Sequence, residues 1–140
     1  MPVTRERTDN LLSRLANIPA RIAGISSGWS GETLERSLSP DGWSALEILA
    51  HLRASDAILV PRVYAILLRD EPILLAFDER HLADLAQYTQ FSFSTLLQHF
   101  ALRRAELIAM ICQISSLDWE RCGIHEVYGP QTLFVILTTL

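Results

Sequence analysis

One histidine stands in a run of helix-forming aliphatic residues. Residues 42–52 read Gly-Trp-Ser-Ala-Leu-Glu-Ile-Leu-Ala-His-Leu, and the histidine is His51. On a helix it shares a face with Ile48, Ser55 and Ile58, so its side chain is expected to point inward. A buried imidazole needs a hydrogen-bond partner or a metal ion, because an unpaired polar group inside a protein is costly. The spacing leaves two interpretations open: a hydrogen-bonded core histidine, which is the commoner case, and a metal ligand.

The other residues that are able to do chemistry show no catalytic pattern. His81 and His99 have polar neighbours and His125 falls in a predicted loop, so all three are expected to face solvent. Residues 24–28, Gly-Ile-Ser-Ser-Gly, match the G-x-S-x-G motif of serine hydrolases, but that motif needs a preceding strand and here a helix precedes it. Cys112 lies in an apolar helical pattern and is expected to be a buried, reduced thiol.

The composition excludes several classes of protein. The 140 residues suit a single domain, 1–140, and the net charge of −4 comes without any basic cluster larger than Arg103-Arg104, so nucleic acid is not an expected partner. All 12 basic residues are arginine, and the absence of lysine excludes Schiff-base chemistry and a phosphate loop of the G-x-x-x-x-G-K-[ST] type. No apolar stretch approaches the roughly 18 residues that span a bilayer, and no signal sequence is present, so we expect a cytoplasmic protein without membrane contact.

Three long helices are predicted from the spacing of apolar residues. The first covers residues 4–27 and the second begins at Ser44, which forms a capping box with Glu47, and runs to about residue 69. Each of these two helices contains one proline, which is expected to bend the helix without ending it. The third helix covers residues 94–115.

The remaining segments are shorter and less regular. Residues 73–92 are predicted to be mostly loop, with a short helix at 81–87, and residues 117–129 have the composition of an ordered loop or a short hairpin. Residues 131–140 contain no charge and no glycine, which predicts an enclosed helix capped by Thr132, with a buried strand as the alternative. Because no C-terminal cap follows, this last helix is expected to be truncated.

Several motifs together resemble those of the DinB-like superfamily. The most specific is W-S-x-x-E-x-x-x-H-L, which starts at Trp43. The others are Asp56, Glu71-Pro72, Phe77-Asp78, Leu117-Asp118-Trp119 and Tyr128-Gly129-Pro130-x-Thr132-Leu133. The resemblance runs from about residue 10 to the end of the chain. It implies an all-α, four-helix-bundle fold, often homodimeric, that binds a divalent metal ion through a histidine of the second helix and a His-x-x-x-His pair of the fourth.

Of the metal ligands that this resemblance implies, only His51 is present. The His-x-x-x-His pair would begin about three residues beyond Leu140, so a site for zinc, nickel or a similar ion would be incomplete in this chain. Near His51, we expect Ser55 or a backbone carbonyl to bond the second ring nitrogen. Asp56 is expected to be a surface acid or to lie outside the metal's own ligands. Trp43 is expected to pack against the end of the bundle without touching substrate.

The resemblance predicts a divalent-metal-dependent enzyme. Members of the superfamily include thiol-dependent S-transferases and isomerases, so the expected activity is thiol S-transfer or hydrolysis of a small molecule, with a low-molecular-weight thiol as a candidate second substrate. The alternative is a non-catalytic helical module that pairs with itself or with a partner through an exposed apolar groove and lacks a complete metal site.

Overall fold

Four helices of the computed structural model pack around a common apolar core. The structure describes residues 2–37 and 39–140, so Met1 and Leu38 of the predicted domain lie outside the described residues. The described part contains six α-helices, three β-strands and two single 3-10 turns. The helices are α1 (Arg5–Ser26), α2 (Gly31–Glu35), α3 (Ala45–Leu68), α4 (Glu79–Leu85), α5 (Phe93–Ile111) and α6 (Leu133–Thr138). The strands are β1 (Ile73–Leu74), β2 (Cys122–His125) and β3 (Gly129–Thr132).

The capping box predicted for the second helix is present. The N–H of Glu47 donates to Ser44 Oγ at 3.1 Å, and the N–H of Ser44 donates to Glu47 Oε2 at 3.0 Å. These two bonds satisfy backbone donors that a helix start leaves without partners. Helix α3 then continues through Pro61, and its C-terminal cap is Arg69, as the sequence predicts.

The other two long helices also agree with their predictions in most of their length. The Thr4 side chain caps α1, which continues through Pro19 to Ser26. Helix α5 ends at Ile111, earlier than predicted. After the helix, the N–H of Ser115 donates to Asp118 Oδ2 at 2.9 Å, and this bond holds residues 115–118 in a turn.

A small sheet closes one end of the bundle. Strands β2 and β3 form the predicted hairpin, with Cys122 opposite Thr132, and β1 pairs in parallel with β2, with Ile73 opposite Ile124. The pairing of β1 was not predicted, because a two-residue apolar strand has no periodicity of its own. The hairpin leads directly into α6, since Thr132 is the last residue of β3 and the N-terminal cap of α6.

The last helix supplies part of the core. Leu133, Phe134, Ile136 and Leu137 of α6 are all buried, in one cluster with residues of α1, α3 and α5. The helix predicted within residues 131–140 is present at Leu133–Thr138, where the alternative of a buried strand is wrong, whereas Gln131 and Thr132 belong to β3. Among the described residues, no helix has both the length and the hydropathy to cross a membrane.

A second apolar cluster lies where α3 and α5 begin. It consists of Leu46, Leu49, Ala50, Leu96 and Phe100, with Ile18 and Ile22 of α1 packed against it. This cluster fixes the first turns of α3 and so determines where the adjacent residue His51 is held.

Candidate metal centre

His51 lies in the second turn of α3 and is half-buried. Its Nδ1 atom is buried and has no hydrogen-bond partner among the described residues. The bond predicted from Ser55 or a backbone carbonyl to this ring is therefore absent at Nδ1. A buried nitrogen without a partner costs about 1 to 3 kcal/mol, so His51 is not the hydrogen-bonded core histidine that its sequence pattern favours.

Trp43 contacts both His51 and Arg80. The rings of Trp43 and His51 meet edge to face, with ring centroids 5.2 Å apart and ring planes at 60°. The guanidinium of Arg80 lies over the Trp43 ring, 4.8 Å from its centroid. Trp43 thus lies just before α3 and links the start of that helix to α4, while its expected separation from substrate stays a prediction.

His51 borders a cavity of about 380 Å³ between the start of α3 and α4, which we call the His51 cavity. The lining residues come from the loop before α3, from α3, from α4 and from the turn that follows: Pro40, Asp41, Gly42, Trp43, Glu47, Ala50, His51, Arg80, Ala83, Asp84 and Thr89. A volume of this size lies in the range of small-molecule sites.

The charged groups of the His51 cavity are mixed in sign. Asp41, Glu47 and Asp84 contribute carboxylates and Arg80 contributes one guanidinium. One oxygen of Glu47 already accepts the N–H of Ser44, because this residue caps α3. Within residues 2–37 and 39–140, no three residues of the types His, Cys, Asp and Glu are grouped so that they could hold a metal ion. The described residues therefore fit a metal through His51 only, and do not form a complete site.

Comparison with known proteins decides the family. The family model of the DinB superfamily matches residues 3–139. This chain belongs to the DinB superfamily. Among solved structures, it is similar to YfiT from Bacillus subtilis, a probable metal-dependent hydrolase with an unusual four-helix bundle topology, at a TM-score of 0.86 and 18% sequence identity. The match covers 96% of this chain and 78% of the YfiT chain. At that identity the likeness establishes the shared fold, which confirms the predicted four-helix bundle. No curated protein matches the chain.

In this DinB-superfamily chain, Asp56 has a different role from the one predicted. It is not a surface acid, because it is 2% exposed and pairs with Arg104 of α5 in the core. Burial raises the pKa of the Asp56 carboxyl, and the hydrogen bond and charge of Arg104 oppose that rise.

Two further predictions about single residues are wrong. His125 is 4% exposed rather than solvated, because its Nδ1 accepts hydrogen bonds from the N–H groups of Val127 and Tyr128 at 3.1 and 3.3 Å. This imidazole closes the β2–β3 turn and does not line the His51 cavity. Cys112 is exposed rather than buried, because α5 ends just before it. His81 and His99 are exposed, as predicted.

Sequence reasoning missed the α4 side of the cavity. Arg80 and Asp84 lie in a segment predicted to be mostly loop, and the short helix predicted at 81–87 is present at Glu79–Leu85. The available signal was Asp78, whose Oδ1 accepts the N–H groups of Arg80 and His81 at 2.9 and 3.1 Å and so caps α4.

Proposed function

We propose that this protein is a divalent-metal-dependent enzyme in which His51 is one of the metal ligands. The observation that supports the proposal is the buried Nδ1 of a cavity-lining imidazole that has no partner in the described protein. Membership of the DinB superfamily and the fold shared with a probable metal-dependent hydrolase support the same assignment. The proposal requires further ligands from outside the described residues, since a stable site for zinc needs three or four of them.

The chain's own residues would hold a small substrate beside His51. Trp43 fixes the orientation of the His51 ring through its edge contact, and Arg80 presents a cation at the cavity wall that can orient an anionic group. A bound divalent ion would act as a Lewis acid and lower the pKa of a water or thiol. We propose hydrolysis or thiol S-transfer on a small molecule as the reaction, with hydrolysis favoured by the likeness to YfiT.

Zinc or nickel titration followed by nuclear magnetic resonance of the histidine side chains tests the metal assignment. We expect the ¹⁵N and ring ¹H resonances of His51 to shift on metal addition, and His51→Ala to weaken metal binding at least about tenfold. The matched control is His99→Ala, which removes an exposed imidazole of α5 that does not line the cavity. Equal binding by His51→Ala and the unsubstituted protein would remove His51 from the site.

The second candidate function is the non-catalytic helical module, acting as a homodimer. The described residues contain no group of three His, Cys, Asp or Glu side chains that could hold a metal ion, and this favours the module. Elemental analysis and sedimentation of the purified protein separate the two functions. A stoichiometric divalent ion supports the enzyme, whereas a metal-free dimer supports the module.

Location in the cytoplasm remains a proposal, which fractionation of the source cells would test.

A further inference from the structure

A second cavity lies on the opposite side of α4 from His51. Its volume is about 580 Å³, and we call it the α3–α4 cavity. It is lined by Ala57, Ile58 and Pro61 of α3, Ala76, Phe77 and Asp78 of the segment before α4, and His81, Leu82 and Leu85 of α4. None of these residues lines the His51 cavity, to which α4 presents Arg80, Ala83 and Asp84. The two cavities are therefore distinct, with α4 as the wall between them.

The α3–α4 cavity is mainly apolar. Seven of its nine lining residues carry hydrocarbon side chains, and two of these, Phe77 and Leu85, are 59% and 74% exposed. Water-exposed apolar surface on the wall of a ligand-sized cavity favours an apolar occupant, because the occupant removes that surface from water. The larger part of a ligand bound here is therefore expected to be a hydrocarbon group.

Two of the nine lining residues, Asp78 and His81, carry polar side chains. Asp78 is its one charged lining residue, and while Oδ1 caps α4, Oδ2 makes no hydrogen bond within residues 2–37 and 39–140. On the α3 side, Pro61 has no N–H, so the carbonyl oxygen of Ala57 loses its usual helical donor. No arginine lines the cavity to attract an anion. The imidazole of His81 can both donate and accept a hydrogen bond, so the carboxylate of Asp78 is the group that selects the charge of a ligand, and it complements a cationic donor.

We propose that the α3–α4 cavity binds a small apolar amine, with its hydrocarbon body against Phe77, Leu82 and Leu85 and its ammonium group on Asp78. The ligand class follows from charge complementarity at Asp78 and from a volume that suits a small molecule. This site does not depend on the proposed metal function, because it shares no residue with the His51 cavity.

Three probes with the same phenyl body test the ligand class. These are 2-phenylethylamine, 2-phenylethanol and 3-phenylpropanoate, titrated into protein with ¹³C-labelled leucine methyl groups. We expect the amine to bind about fivefold more tightly than the alcohol, as for an exposed ion pair, and the acid to bind most weakly. The methyl resonances of Leu82 and Leu85 should shift with saturation. Tighter binding of the acid than of the amine would overturn the proposal.

Substitution of Asp78 isolates the charge. Asn is also a favourable N-cap residue, so Asp78→Asn keeps the start of α4 while it removes the carboxylate. We expect this variant to lose about fivefold in affinity for the amine and none for the alcohol. Asp78→Ser is the second capping variant, with the same expectation. Unchanged amine affinity in both variants would overturn the role of Asp78.

Two further variants test the place of binding. Ala57→Leu should weaken both the amine and the alcohol, because it fills the α3 side of the cavity. His51→Ala should leave amine binding unchanged, whatever its effect on metal binding. Chemical-shift changes confined to the amides of Ala83 and Asp84 would place the amine in the His51 cavity and would refute the second site.

Discussion

Arg104 and Asp56 form a two-point ion pair inside the bundle. Arg104 Nη2 donates to Asp56 Oδ1 at 2.8 Å and Arg104 Nε donates to Oδ2 at 3.2 Å, with the two residues 1% and 2% exposed. The same guanidinium donates through Nη1 to the carbonyl oxygen of Leu15 at 3.3 Å. One arginine of α5 thus joins α3 and α1, and its charge is balanced by Asp56 inside the bundle.

Asp56→Ala is expected to destabilise the protein by about 3 to 5 kcal/mol, because it leaves a buried guanidinium without a counter-charge. Urea unfolding followed by circular dichroism measures the loss. The control is the double variant Asp56→Leu with Arg104→Met, which removes both charges and is expected to lie within about 1 kcal/mol of the unsubstituted protein. A double variant as unstable as Asp56→Ala would contradict the ion-pair explanation.

Arg121 is expected to stabilise the end of α3. Its Nε donates to the carbonyl oxygen of Ile66 and its Nη2 to that of Arg69, each at 2.9 Å, and these carbonyls lack helical partners. Arg121→Met should therefore cost about 1 to 2 kcal/mol in urea unfolding. Asp70 also contacts this guanidinium, at 3.3 Å, but it is fully exposed, so Asp70→Asn should leave the unfolding midpoint unchanged. A loss in Asp70→Asn equal to that in Arg121→Met would assign the effect to charge instead.

Local and distant contacts differ in how far the sequence predicts them. Ser44 and Glu47 are three positions apart, so their capping box was predictable from residue types alone. Asp56 and Arg104 are 48 positions apart, and no local pattern links them. His125 was placed on the surface because its acceptor role depends on a turn geometry that forms only when β2 pairs with β3. His51 was identified through its motif, whereas the cavity beside it needed the position of α4.

Asp118 should show a pH-dependent contribution to stability. The Ser115 hydroxyl donates to Asp118 Oδ2 at 2.7 Å, and this bond, with the backbone bond from the same residue, holds the pKa of Asp118 below its ordinary value of 3.8. Ser115→Ala should raise that pKa, as measured by a ¹³C carboxyl titration.

The sign of the effect follows from proton linkage. Because the pKa of Asp118 is lower in the folded state, its stabilisation is fully present above the unfolded pKa and is lost as the pH falls through the folded pKa. The difference in unfolding free energy between Ser115→Ala and the unsubstituted protein should therefore shrink below about pH 4. Ser116→Ala is the neighbouring control, and a similar pKa change in that variant would contradict the assignment to the Ser115 hydroxyl.

The two buried imidazole nitrogens predict opposite effects of substitution by phenylalanine. His51→Phe keeps an aromatic ring beside Trp43 and removes a buried nitrogen that has no partner in the described protein, so it should stabilise the metal-free protein by about 1 kcal/mol. His125→Phe removes the acceptor of the Val127 and Tyr128 N–H groups, so it should destabilise by about 1 to 3 kcal/mol. Urea unfolding of both variants in the presence of a chelator measures the two effects. A stabilised His51→Phe would agree with the proposed ligand role of His51, whereas a destabilised His51→Phe would show that the imidazole is part of the core.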